Sequence, residues 1–223
     1  SEWYDICKEL RKLPMPGMRV LPFPDAIRER TGILFLEDME AVALKAQTIA
    51  VVKCVCRTVM KRCSSPLDVC FVFDAGAEFA LRRGTGRKIG VEEAHDIFNR
   101  CAQDGLVPQA MNRAKVAHLC FCCSDCCIFL QPYIKSGYRL ISPSRYQAVV
   151  DEGLCNGCQE CIERCKFDAI NMHRTASTKR LKAFVLPEKC FGCGVCAIKC
   201  SPGGLRLKLV RPAGHIPETS SLY

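Results

Sequence analysis

Two runs of four cysteines constrain this chain more than anything else in it. Cys155, Cys158, Cys161 and Cys165 are spaced C-x2-C-x2-C-x3-C, and Cys190, Cys193, Cys196 and Cys200 repeat that spacing 35 residues later. Three thiolates set two residues apart wrap a tight loop around one face of a metal centre, with the loop's N–H groups aimed at the sulfurs. The fourth cysteine starts a helical turn leading away, so it reaches the other centre. The spacing therefore predicts two 4Fe–4S clusters with crossed ligands. One takes Cys155, Cys158, Cys161 and Cys200, and the other takes Cys190, Cys193, Cys196 and Cys165. Gly157, Gly192 and Gly194 suit loops whose backbone runs close to sulfur. Structural zinc is the weaker alternative, because it uses two C-x2-C pairs set well apart.

Nine further cysteines lie upstream. Cys54, Cys56, Cys63 and Cys70 form C-x-C-x6-C-x6-C, and Cys120, Cys122, Cys123, Cys126 and Cys127 form C-x-C-C-x2-C-C. The chain has 19 cysteines in 223 residues, an odd number gathered in tight groups, whereas a disulfide framework spreads cysteines out to close loops. Side chains of sequence neighbours point apart, so each of the pairs Cys122–Cys123 and Cys126–Cys127 can serve two metals. One or two additional iron–sulfur clusters are expected here, with zinc the less favoured occupant. Cys101 falls on the apolar stripe of a helix and reads as a core thiol. Cys7 reads as a lone thiol in a short first helix.

The paired C-x2-C-x2-C-x3-C runs resemble the bacterial two-cluster ferredoxins over about 70 residues. The sequence departs from that family after each fourth cysteine, where Lys166 and Ser201 replace the usual proline and Pro202 is displaced by one. Lys166 places a positive charge beside the second cluster, which favours its reduced form. The wider chain resembles a family of iron–sulfur proteins of anaerobic microbes, in which a C-x-C-R module precedes a dicluster domain. The matching residues are Cys54, Cys56, Arg57, Cys63, Pro66 and Cys70, then Gly84 to Ile89, Glu92 to Ala94, Gly105 to Val107 and the second cysteine group. This resemblance implies an electron-transferring protein or subunit and names no substrate.

The pattern of elements predicts an α+β chain. Residues 1–30, with Pro14, Pro16, Pro22 and Pro24, read as an extended N-terminal arm after the short helix. Residues 31–138 read as a mainly helical cysteine-rich module with helices over 37–45, 75–82 and 91–104 and one strand over 48–52. Residues 139–210 read as a ferredoxin-like dicluster domain with strands over 146–150, 169–172, 183–186 and 205–209, and residues 211–223 as an irregular tail.

The formal charge of +9 counts cysteines as neutral, and two clusters with their thiolates lower it to about +5. Lys179, Arg180 and Lys182 form only a short basic turn, read as a solvated loop, so nucleic-acid binding is not expected. No apolar run approaches the roughly 20 residues of a membrane span. The expectation is a cytoplasmic protein without direct membrane insertion, working with redox partner proteins in a hetero-oligomeric complex. An alternative is a self-contained reductase with a substrate-accessible cluster upstream, where Arg57, Arg62 or His118 orients an anionic substrate; the favoured reading of these three is an ion pair or a hydrogen bond to a cluster sulfur.

Overall fold

The computed structural model describes residues 16–27, 33–174 and 180–217. The short helix with Cys7, Pro14, Lys179 and the last six residues lie outside them.

The upstream module is sheet-rich, which corrects the mainly helical expectation. Seven strands form one sheet: β1 (Met18–Val20), β2 (Ile49–Lys53), β3 (Asp68–Phe73), β4 (Gly86–Ile89), β5 (Val107–Met111), β6 (His118–Cys122) and β7 (Ile141–Ser142). Their spatial order is β4-β2-β3-β6-β5-β1-β7. Every pairing is antiparallel except β1 with β7. Four expected elements stand close to where the sequence placed them: β2, α1 (Met39–Lys45), α3 (Ala75–Arg82) and α4 (Val91–Gln103). The segment after Cys54 folds into a further short helix, α2 (Val55–Met60), and α5 (Leu130–Ser136) follows the second cysteine group. Helix α4 buries Ala94, Ile97, Phe98, Cys101 and Ala102, and Gly105 closes it at φ +73°. Cys101 is thus a core thiol, and burial pushes its pKa up to about 12.

The arm does not run free. From Met18 onward it forms β1, and Leu21, Phe23, Ala26 and Ile27 are buried in the main core. The Phe23 N–H donates to the Cys193 carbonyl at 2.9 Å. Prolines here exclude a long helix, as expected, but leave the apolar residues between them free to pack. Arg19, buried on β1, donates to the carbonyls of Leu36, Met111 and Arg113. The tail is likewise anchored through Pro217. Ala213–His215 form a 3-10 turn, Ile216 is buried, and His215 Nε2 lies 2.9 Å from the Pro143 carbonyl.

The C-terminal part is two copies of one unit. Strand β8 (Tyr146–Val150), helix α6 (Glu160–Arg164) and strand β9 (Ile170–Arg174) recur 35 residues on as β10 (Leu181–Val185), α7 (Val195–Ile198) and β11 (Leu205–Leu209). The pairing is β8 with β11 and β9 with β10, both antiparallel. The halves meet the sheet module through two cations, the half-buried Arg164 and the buried Arg145. Arg164 donates to the Ala102 and Gln103 carbonyls at the end of α4 and to the Val195 carbonyl of α7. Arg145 forms an ion pair with Glu37 at 2.9 Å, both side chains almost fully buried.

Candidate metal centres

The repeat crosses over at its sulfurs. One cavity is lined by Cys155, Cys158, Cys161, Cys196 and Cys200. A second is lined by Cys165, Cys190, Cys193 and Cys196. Each therefore gathers three cysteines of one loop and the fourth of the other, with Cys196 on the wall between them.

The backbone around both cavities follows the same two-fold logic. The Ala183 N–H donates to Cys155 Sγ at 3.5 Å, and the Ala148 N–H, 35 residues earlier, donates to Cys190 Sγ at 3.4 Å. Ala169 N–H donates to Cys165 Sγ at 3.4 Å. Such N–H···S bonds stabilise charge on sulfur. Gly157 (φ +79°) and Gly192 (φ +66°) run so close to the opposite half that a Cβ would overlap the carbonyl oxygens of Leu181 and Tyr146 respectively. At Gly194 (φ +84°) a Cβ would come within 2.5 Å of Ala26 Cβ. These loops need glycine for both conformation and clearance.

Burial raises the thiol pKa of Cys193 to about 12 and of Cys161 to about 11. Thiols in such surroundings are held as ligands by a bound cation rather than as free thiolates. The donor set, the spacing and the crowded backbone fit a 4Fe–4S cluster in each cavity.

The symmetry breaks at Lys182, whose place in the other half is taken by Gln147. Instead of a solvated basic turn, its buried ammonium donates to the carbonyls of Glu152, at 2.7 Å, and Cys155. It ties the loop of the first cavity to the strand beneath it.

The nine upstream cysteines divide into six and three. Thiol contacts run from Cys54 to Cys56 and Cys70, from Cys70 to Cys120, from Cys120 to Cys122, and from Cys122 to Cys127, which returns to Cys56. The six sulfurs close a ring. Contact with the Cys122 thiol holds Cys120 and Cys127 well below the ordinary thiol value. Cys120 Sγ also lies 3.2 Å from His118 Nε2, and Gln109 Nε2 donates to Cys127 Sγ at 3.8 Å. Strand pairing assembles part of the ring: Cys70 on β3 sits opposite Cys120 on β6, and Cys122 opposite Val107 on β5.

The remaining three form a separate group. Cys63 Sγ is 3.6 Å from Cys123 Sγ and 3.7 Å from Cys126 Sγ. The adjacent pairs are split between the two sites, with Cys122 and Cys127 in the ring and Cys123 and Cys126 in the trio.

Arg57 is buried and committed to hydrogen bonds, one of them to sulfur, rather than free to orient a substrate. It donates to the carbonyls of Pro66 and Phe121, both at 2.6 Å, and to Cys123. Its pKa is raised because these sulfur contacts outweigh burial. A cleft of about 750 Å³ opens over the ring, with apolar walls that include Val52, Val55, Val59, Met60 and Phe129. Sequence reasoning did not find this cleft; its signal was the unpaired Val55 and Val59 at i, i+4 beside the C-x-C pair.

Between the ring and the second cavity lies an aromatic wall. Phe167 and Phe191 stack with centroids 4.4 Å apart, and Tyr133 meets Phe191 edge-on at 4.8 Å. The same apolar cluster contains Cys122 and Cys127 and packs against Cys165, Cys190 and Cys193. No helix among the described residues is long and apolar enough to cross a membrane.

No curated protein matches the chain. Residues 144–203 match the family model of the 4Fe-4S dicluster domain, so the repeat is a ferredoxin-like iron–sulfur domain, a kind of domain suited to electron transfer.

Proposed function

We propose that this protein is a multi-centre electron relay working with redox partner proteins, its C-terminal domain of the bacterial two-cluster type with crossed ligands. Cys155, Cys158, Cys161 and Cys200 hold one 4Fe–4S cluster, and Cys190, Cys193, Cys196 and Cys165 hold the other. The six-thiol ring holds a further iron–sulfur cluster. The module carrying Arg57 after Cys56 belongs with the C-x-C-R proteins of anaerobic microbes, in a reducing cytoplasm where thiols reach metal unoxidised.

The observation that carries this reading is the linear order of the three sites. The ring abuts the aromatic wall, the wall abuts the second cavity, and Cys196 is common to both cavities. Each end has an opening of its own, the ring through its cleft and the first cavity through the exposed Cys158. Bound clusters supply one-electron chemistry. The chain's own residues hold them apart, exclude water between them and bias the thiolates through N–H donors.

A second reading, a reductase, draws on the cleft. A small apolar substrate there would lie against the ring sulfurs, with Lys53 and Arg62 among the lining residues. The two readings are separated by turnover. Anaerobically purified protein is expected to contain about twelve irons per chain. It should accept electrons from a strong reductant, pass them to an added ferredoxin-type acceptor, and reduce no small substrate alone. About eight irons would remove the ring cluster, and steady catalysis by the isolated chain would install the reductase.

A further inference from the structure

We infer that Cys63, Cys123 and Cys126 form a mononuclear zinc site, separate from every iron–sulfur centre. A tetrahedral zinc ion with Zn–S bonds of about 2.3 Å sets its sulfurs about 3.8 Å apart. The Cys63 sulfur stands 3.6 and 3.7 Å from its two partners, and all three sulfurs lie within 4.8 Å of one another. Among the described residues, no three cysteines of the ferredoxin-like loops are gathered so closely. The trio has the sulfur spacing of ligands around a single ion.

The surroundings are those of a built site. Cys123 and Cys126 form a C-x2-C turn directly after β6, and Cys63 reaches it from the loop between α2 and β3. Cys63 receives hydrogen bonds from the backbone and side chain of Ser65, Cys126 from the backbone of Arg62, and Cys123 from the Arg57 guanidinium. Three thiolates and a divalent cation carry one net negative charge, which the buried Arg57 offsets. Soft thiolate donors select zinc over harder divalent cations. The described residues supply three ligands, which leaves the fourth position to water or a further donor. The ion would clasp the 61–67 loop to the 123–127 turn, and so fix the directions in which Cys122 and Cys127 present their sulfurs to the ring.

The test uses the anaerobically purified, cluster-loaded protein. Elemental analysis should give one zinc per chain beside the iron. Cys126→Ser should lose that zinc and keep its iron, whereas Cys122→Ser should lose iron. Exchange of wild-type protein with cobalt(II) should produce thiolate charge-transfer and four-coordinate ligand-field absorption, a readout that does not depend on any variant folding. Wild-type protein with no zinc and no cobalt signal would overturn the assignment. So would loss of about four irons on Cys126→Ser with zinc content unchanged. Neither result bears on the relay, which is judged by iron content and turnover.

Discussion

Replacing Gly192 with alanine should empty one cluster site and leave its twin filled. Gly192 sits at φ +66°, and its would-be Cβ overlaps Tyr146 O and Ser144 Oγ and lies 2.7 Å from the Tyr146 carbonyl carbon. Ordinary carbon–carbon contact needs about 3.5–4.0 Å, so the loop and β8 must part by about 1 Å. That movement breaks the bonds docking the loop: Ser144 Oγ to the Gly192 carbonyl at 2.8 Å and Ser144 N–H to the Phe191 carbonyl at 3.0 Å. The left-handed backbone costs about 1–2 kcal/mol for alanine, and each lost hydrogen bond about 1 kcal/mol. The local penalty is about 3–4 kcal/mol, enough to disfavour the loop's ligating conformation by more than a hundredfold. The assay is iron and sulfide per chain after anaerobic reconstitution, with electron paramagnetic resonance of the reduced protein. Gly192→Ala should lose about four irons, together with the magnetic coupling between neighbouring reduced clusters. Gly84→Ala is the control, since Gly84 has φ +64° but nothing within 4 Å of its would-be Cβ. Full iron content and unchanged spectra in Gly192→Ala would refute the reasoning that backbone clearance governs cluster loading.

Cys165→Ser should damage the cluster of the Cys190 loop rather than that of its own sequence neighbours, and spectroscopic damage confined to the Cys155 loop would remove the crossed assignment. Glu37→Ala strands the buried Arg145 charge and should cost about 3–5 kcal/mol. In a chain of this size that lowers the melting temperature by about 6–20 °C, and a shift under 2 °C would show that the pair does not hold the two parts together. Cys101→Ala should leave iron and zinc unchanged and cost about 1 kcal/mol, as befits a core thiol; metal loss would make it a ligand.

The dicluster domain was legible because its chemistry is local. Three of the four cysteines proposed for each site lie within seven residues, and the 35-residue repeat fixes both halves at once. The β8 and β11 boundaries could be read from alternation alone. The upstream sheet was not legible for the opposite reason. Strands β1, β4 and β7 are two to four residues long, too short to show a period of two, and β6 carries two of its apolar positions as cysteines. Met18–Val20 reads as part of a proline-rich arm because nothing nearby pairs with it; its partners are 89 and more residues away. The upstream cysteines stood out by their spacing, and their divergence at adjacent pairs was foreseeable from strand and turn geometry. The division into six and three was not, since Cys63 and Cys70 look equivalent in sequence. Only the loop that carries Cys63 away from β3 separates them.

The antiparallel pairing of β3 with β6 also sets a clock on biogenesis. Cys54, Cys56 and Cys70 are all synthesised before Cys120, which follows Cys70 by 50 residues. At about 5–20 residues per second, half of the ring stands without its other half for about 2.5–10 seconds. During that interval the nascent chain offers three nucleophilic thiols, one of them on a strand with an unpaired edge, to any oxidant or stray metal. Strand β1 waits longer still, because β5 and β7 must both emerge before its two edges are covered. Iron delivered early would meet an incomplete ring. On the proposed assignment of a cluster to the ring, faithful loading depends on insertion lagging synthesis, a timing imposed by strand order rather than by any affinity of the finished site.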